Sequence, residues 1–315
     1  MKIVILIPVF NDWQSVYKLL ENINSEVSSL GHEFSVIIVN DASTEANPGL
    51  SNNLDNLSSI KIINMKENRG HARCNAVGLK HIFANEEFDY VIPMDGDGED
   101  RPEEIKKLVD NLNYHPDKPI VGERIKRSEG FFFKFCYFIH KLITFTFTGQ
   151  SIKYGNYTCL PKTIVEKMIN EKATWSSFSG SLAKVAKDRA SIPSERGTRY
   201  FGPSKMSFKN LLIHSLSIIT VFKINVLIRS ILFFLVYMFL IYQNITIIML
   251  TPVLLVIILI ASVLIISKRE NLEEMNNSLL NKLSPSLPIN NKLLSTSIIF
   301  LTSELSNELF SESID

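Results

Sequence analysis

Along the first third of the chain, short unbroken apolar runs alternate with longer stretches where apolar residues recur every three or four positions. Residues 2–9, KIVILIPV, are continuous and rich in β-branched residues, as a strand covered on both faces should be. Residues 34–39, 60–65 and 88–94 repeat that pattern. Between them, residues 13–27 put Val16, Leu19, Leu20 and Ile23 on one helical face, and residues 69–84 do the same with Ala72, Ala76, Leu79 and Phe83. Strands alternating with helices predict an α/β fold: a Rossmann-like, mostly parallel sheet with helices on both faces.

The pattern changes further on. Residues 131–147 are rich in phenylalanine, with Lys134 and Lys141 interleaved. They suit either a buried core helix or one lying on a membrane surface, and the latter is favoured. Residues 207–222 read as an amphipathic stretch. Residues 227–242 and 245–267 are two apolar runs of near-spanning length, separated by Gln243 and Asn244. Lysines and arginines flank the pair and none lies in the gap, so both ends are expected on the cytoplasmic side. Arg229 sits about one turn inside and is expected to snorkel; Pro252 is expected to kink the second helix. The predicted division is a catalytic domain at 1–205, an interfacial segment at 206–225, a transmembrane hairpin at 226–268 and a cytoplasmic tail at 269–315, for which the pattern gives no role.

Composition narrows the classes. A net charge of +1 gives no electrostatic case for nucleic acid. The three cysteines form no CxxC pair, so neither a zinc site nor a disulfide framework is indicated. The N-terminal run lacks a signal-peptide cleavage pattern.

Open α/β sheets bind ligands at the carboxyl ends of their strands. Here those ends carry Asn11 and Asp12, then Asn40 and Asp41, then Asp95 and Asp97. No G-x-G-x-x-G or G-x-x-x-x-G-K-[ST] follows any strand, which disfavours dinucleotide oxidoreductases and P-loop enzymes. The densest chemistry lies in residues 91–104, VIPMDGDGEDRPEE. An EF-hand loop would need glycine at Asp100 and glutamate at Lys106. A solvated acidic turn remains open, as does a helix start decorated with acids, which suits Glu103 and Glu104. Asp95, Asp97 and Glu99 alternate, so an extended backbone would point them one way, toward a hard cation such as Mg²⁺ or Mn²⁺.

Four segments, PVFND at Pro8 to Asp12, NDAS at Asn40 to Ser43, NRGHARCNAVG at Asn68 to Gly78 and MDGDGEDRPEEI at Met94 to Ile105, follow in the order and spacing of family 2 glycosyltransferases with the GT-A fold. The fourth resembles the D-x-D-x-Q-x-x-P-E of polyprenyl-phosphate glycosyltransferases, with Glu99 in place of glutamine. Gly122-Glu123-Arg124 with Arg127, and Arg199 through Lys205, resemble two more of that subfamily's segments. No Q-x-x-R-W is present, so a processive polysaccharide synthase is not expected.

The resemblance implies a metal-dependent, inverting hexosyltransferase at a membrane, expected to be a bacterial inner membrane. It implies a UDP- or GDP-sugar donor, Mg²⁺ or Mn²⁺, and a polyprenyl phosphate acceptor; a homo-oligomer is left open. Pro8, Val9, Phe10, Asn11 and Asp12 would wall the nucleobase, and Asp41 would accept from it. Asx-turn or capping roles stay open for Asp41 and Asn11. Asp97 and Glu99 would hold the cation, with Asp95 and Gly96 at the ribose or cation. Arg124, Arg127, Arg199 and Lys205 would grip the acceptor phosphate, or form a basic face near anionic lipid. A lipid phosphate needs no base, whereas a hydroxyl acceptor would draw on Glu99 or Asp100. A glycan-directed transferase and a non-catalytic nucleotide-sugar-binding protein are the alternatives.

Overall fold

The computed structural model describes residues 1–49, 53–126, 131–203 and 208–278. Seven strands form one sheet in the order β3-β2-β1-β4-β6-β5-β7. β1 (Lys2–Val9) lies between β2 (Glu33–Asn40) and β4 (Tyr90–Pro93), and β3 (Ser59–Asn64) forms the edge beyond β2, all four parallel. β6 (Tyr154–Pro161) runs antiparallel to both β4 and β5 (Ile120–Lys126), and β7 (Ala190–Glu195) closes the far edge parallel to β5. β6 therefore begins at the edge where the other six strands end.

The unbroken apolar character of β1 has a direct cause. Ile3, Ile5, Ile7 and Val9 pack in one core with α1 (Trp13–Val27) and α3 (Ile105–Leu112). Val4 and Leu6 face the opposite core, with α2 (His71–Asn85), α5 (Lys162–Asn170) and α6 (Phe178–Val185). A strand between two helix layers has no polar face to show. α2 comes very near the sheet at Gly78, where a Cβ would lie 2.3 Å from Leu6 Cδ1. Pro102 opens a 3₁₀ turn (Pro102–Glu104) that leads into α3. Glu104 is buried there and accepts from Ser194 Oγ at 2.6 Å and the Glu195 amide at 3.2 Å, so one acid of the run ties α3 to β7.

The second half builds a helical layer against this domain. α4 (Phe131–Thr148) and α7 (Phe208–Thr220) pack together, and α7 also meets α6. α8 (Lys223–Ile241) and α9 (Thr251–Ser267) form the apolar hairpin; among the described residues, helices at Lys223–Ile241 and Ile248–Asn276 are long and apolar enough to cross a membrane. Leu240 is 71% exposed and Leu255 61%, whereas the β1 side chains from Ile3 to Ile7 are at most 1% exposed. Arg229 does not simply snorkel. Its Nη1 donates to the carbonyls of Phe145 and Thr146, and Asn225 Nδ2 donates to Thr148 O at 3.1 Å, so α8 caps the end of α4. Pro252 sits in the first turn of α9, where its missing N–H costs nothing; it starts the helix instead of kinking it.

Candidate functional site

The carboxyl edge of the sheet gathers the polar residues. Two non-glycine residues there have positive φ: Asn11 (50°), after β1, and Ala42 (54°), after β2. Asparagine tolerates that region. Asn11 Oδ1 accepts from the amides of Thr44 (2.8 Å) and Glu45 (3.0 Å), and its own amide donates to Ser43 Oγ at 2.9 Å. It staples the turn after β1 to the loop after β2 and does not cap α1. Val9 is buried and Phe10 is 38% exposed at the mouth of this edge.

Asp41 is 3% exposed. Its Oδ1 accepts the Arg69 amide at 2.7 Å and its Oδ2 the Gly70 amide at 2.8 Å, just ahead of α2. The Cys74 thiol lies within hydrogen-bonding reach of it and is held far above its ordinary value, by burial first and by Asp41 next. Asp41 thus anchors the loop ahead of α2, with its charge held by two backbone amides.

The acidic turn after β4 is built differently. The Asp95 amide donates to Asp100 Oδ2 at 2.9 Å and the Glu99 amide to Asp97 Oδ1 at 2.9 Å. Gly98 adopts φ of 88° with the Tyr200 ring against it; any Cβ there would meet that ring at 2.6 Å. The backbone curls, so the alternating acids do not point one way as an extended chain would require. Asp95 Oδ1 pairs with His71 Nε2 at 2.7 Å and lies 3.4 Å from Asn156 Nδ2. Asp97 Oδ2 takes Arg199 Nη1, and Glu99 Oε2 takes Arg196. Gly96 packs against Pro8 O and Val16.

Arg199 is the hub. Its Nη2 reaches Asp12 Oδ2 at 2.9 Å, so one guanidinium spans the ends of β1 and β4. Its buried Nε has no partner among the described residues. Expected apart from the donor motifs, at the acceptor phosphate, Arg199 is instead in their midst: the residues after β7 fold back over the acidic turn, with the Tyr200 amide donating to Asp97 O at 3.0 Å. Arg124 lies over Gly155 at the start of β6, and its charge reaches Asp95 and Asp100. Arg127 and Lys205 lie outside the described residues.

The electrostatics show negative charge in excess. Burial, then the charge of Asp95, pushes the Asp97 carboxyl up to about 6 and that of Asp100 up to about 8. Burial opposes the charge of Asp95 too, but His71 and two arginines hold it below the carboxylate range. The same Asp95 outweighs burial at His71 and raises it. Among the described residues no three His, Cys, Asp or Glu side chains converge into a ready cation cage. The donor set nonetheless suits a hard cation of the Mg²⁺ kind, which usually takes one or two carboxylates and completes its shell with substrate phosphates. Asp95, now paired with His71, and Asp97, now paired with Arg199, are the carboxylates that could supply it, while Glu99 is turned to Arg196.

His71, Asn156 and Arg196 were not among the residues expected at the site, and Tyr200 lay in a segment from which only Arg199 and Lys205 were expected there. The signal for His71 was its position opening a helix at the carboxyl edge; for the others, contacts across long sequence separations carried no signal.

Solved structures share the architecture. Glucosyl-3-phosphoglycerate synthase from Mycobacterium tuberculosis, in complex with Mn²⁺, UDP and phosphoglyceric acid, matches with a TM-score of 0.51 at 12% identity, covering 71% of this chain and 78% of that one. TarS 1-349 from S. aureus, in complex with UDP-GlcNAc, matches with a TM-score of 0.47 at 14% identity, over 73% and 70% of the two chains. At these identities the likeness concerns the fold, and only the first carries weight. The profile of Glycosyl transferase family 2 matches residues 4–165, about half of the chain. With the parallel sheet and the acidic edge described above, this makes the chain a member of glycosyltransferase family 2, with the GT-A fold.

Proposed function

We propose that this protein is a membrane-anchored, inverting, divalent-cation-dependent transferase that moves a sugar from a nucleoside diphosphate to a polyprenyl phosphate on the cytoplasmic face. The carrying observation is the half-buried Arg199 between Asp12 and Asp97, whose Nε has no partner among the described residues, at the edge where the fold binds ligands. A free donor beside a carboxylate cluster is an arrangement that a phosphate oxygen completes. The Mn²⁺ and UDP bound by the M. tuberculosis neighbour favour UDP and a divalent cation. Asp95 and Asp97 would hold that cation, which supplies charge neutralisation to the departing diphosphate.

The remaining chemistry falls to the chain's own residues. An acceptor phosphate oxygen attacks the anomeric carbon as the bond to the diphosphate oxygen breaks, and the electron pair leaves with the diphosphate. No proton has to move, so positioning dominates. Arg124 lies over Gly155 at the start of β6, with its charge felt at Asp95, and from there it would orient the acceptor. α4 and α7 lie next to the exposed hairpin, which favours a lipid acceptor with its phosphate at the bilayer surface.

One observation favours the alternative of a hydroxyl acceptor. His71 with Asp95 at 2.7 Å is a His–carboxylate pair able to take a proton. One experiment separates the readings. Membranes are incubated with labelled UDP- and GDP-sugars, with and without undecaprenyl or dolichyl phosphate. Label entering the lipid phase only with the polyprenyl phosphate is expected; label on a water-soluble or glycan acceptor alone would establish the alternative, and no transfer or hydrolysis would leave a binding protein.

A further inference from the structure

Residues 270–278, beyond the second apolar helix, lie against the catalytic domain. The side chain of Glu270 is 3% exposed and pairs with Lys223 at 2.8 Å, closing the base of the hairpin. Asn271 Oδ1 then accepts from the amides of Glu273 and Glu274, starting the short α10 (Leu272–Asn276). Met275 is 2% exposed and joins the core that holds Leu6 and Trp175. The Lys66 amide donates to Ser278 O at 2.9 Å.

Glu274 makes the contact with consequences for the site. Its Oε2 accepts from Trp175 Nε1 at 3.1 Å, and its Oε1 pairs with Arg69 Nη1 at 2.5 Å. Arg69 is therefore held at both ends: its amide on Asp41, its guanidinium shared between Glu67 through Nη2 and Glu274 through Nη1. The segment from Lys66 to Gly70, which joins β3 to α2, is gripped by the sheet on one side and by residues 270–278, a strap across the domain, on the other. Arg73, in the first turn of α2, stacks its guanidinium over Trp175 at 5.3 Å, so the same indole touches both the strap's acid and the helix.

We propose that Glu274 is a positioning residue for the donor site: the strap fixes the loop before α2, and that loop's amides fix the orientation of Asp41 for the nucleoside end of the donor. This rests on the reading that a nucleoside diphosphate binds at this edge. A loop ordered in advance charges no ordering entropy to the ligand, whereas a loosened one does so at binding. Because the nucleoside end is remote from the breaking bond, the loss appears in donor affinity rather than in the chemical step.

The test uses the full-length protein in detergent, with UDP and GDP, each with Mn²⁺, as probes in calorimetry, and melting temperature in parallel. Wild type is expected to bind at least one of the two. Glu274→Gln, which keeps the size and removes the charge, is expected to bind that nucleotide about five- to thirtyfold more weakly, well below its melting temperature. Glu274→Asp, which keeps the charge, is expected to recover part of the affinity. A merely structural staple predicts a lower melting temperature with unchanged affinity, and that result overturns the proposal. Wild type that binds neither nucleotide sinks the donor reading itself, and the proposal with it.

Discussion

Asp41 and Asp97 follow β2 and β4, the two neighbours of β1, so they flank the same strand end; what neutralises them differs. Asp41 is held by two backbone amides that the fold cannot withdraw. Asp97 is held by the side chain of Arg199, which arrives from beyond β7 and is shared with Asp12. Backbone dipoles are part of the scaffold, whereas a guanidinium can be exchanged for a cation or turned toward a phosphate. The contrast sets a carboxylate fixed by the scaffold, Asp41, against one held by an exchangeable side chain, Asp97.

The largest effects should come from breaking that contrast directly. Asp97→Asn removes one of the two carboxylates placed for the cation, and transfer should fall at least about a hundredfold. Excess chelator should abolish it. The fold should barely notice: one charge leaves a crowded acidic cluster, so the melting temperature should hold or rise. Asp41→Asn should do the opposite. An amide has one acceptor oxygen, so one of the two backbone donors is left facing an NH₂ group, costing about 1–3 kcal/mol of stability. Denaturant titration of both variants checks this, and equal destabilisation by the two would erase the distinction.

The arginines sharpen the comparison at a smaller scale. Arg199→Ala should weaken nucleotide binding, because it removes the donor that a phosphate oxygen would meet beside Asp12 and Asp97. Lysine should rescue only in part, since a point charge cannot span both carboxylates. Arg124→Ala should leave nucleotide affinity near normal while transfer to lipid phosphate falls about ten- to a hundredfold, the worth of one or two lost charge-assisted bonds. Calorimetry set beside transfer rates measures the split. Loss of nucleotide affinity in the Arg124 variant would move that residue to the diphosphate.

These differences mark where sequence was legible. The sheet was, because a strand covered on both faces must be apolar throughout, and residues 2–9 are. Helix α2 was, through its spacing. The strand-end acids were found too, since architecture alone says where a parallel sheet binds ligands. The direction of each acid was not. Alternation implies a common face only for extended backbone, and Gly98 at φ of 88° curls the segment. Nor was Arg199 placed, since 102 positions separate it from Asp97 and no local pattern encodes that contact. The strap was missed for a similar reason: Glu274 and Met275 sit in a polar, unpatterned stretch whose partners are Arg69 and Trp175.

The smallest predicted effect concerns the helical layer above the acidic edge. Burial first, then the neighbouring charge of His71, lowers His214 in α7 to about 4; Asp95 pulls the other way, and His140 and Arg124 add to the lowering. An unfolded chain would protonate this histidine near 6.5. Between those values the unfolded state binds the extra proton, so stability is lost as pH falls through the window and is fully lost below 4. Asp97 and Asp100 act with the opposite sign. Their folded carboxyls take up protons between about 8 and 4, where unfolded ones stay charged, so acid stabilises the fold through them. The net slope of the wild-type protein is thus a difference of opposing contributions, and only a variant isolates the histidine. His214→Gln should lose less stability than wild type on going from pH 7.5 to pH 5, by on the order of 1–2 kcal/mol. Melting curves of the detergent-solubilised proteins at the two pH values give the comparison. Parallel shifts in both proteins would mean that His214 is freely protonated, and that α7 does not cover the acidic edge closely enough to keep it neutral.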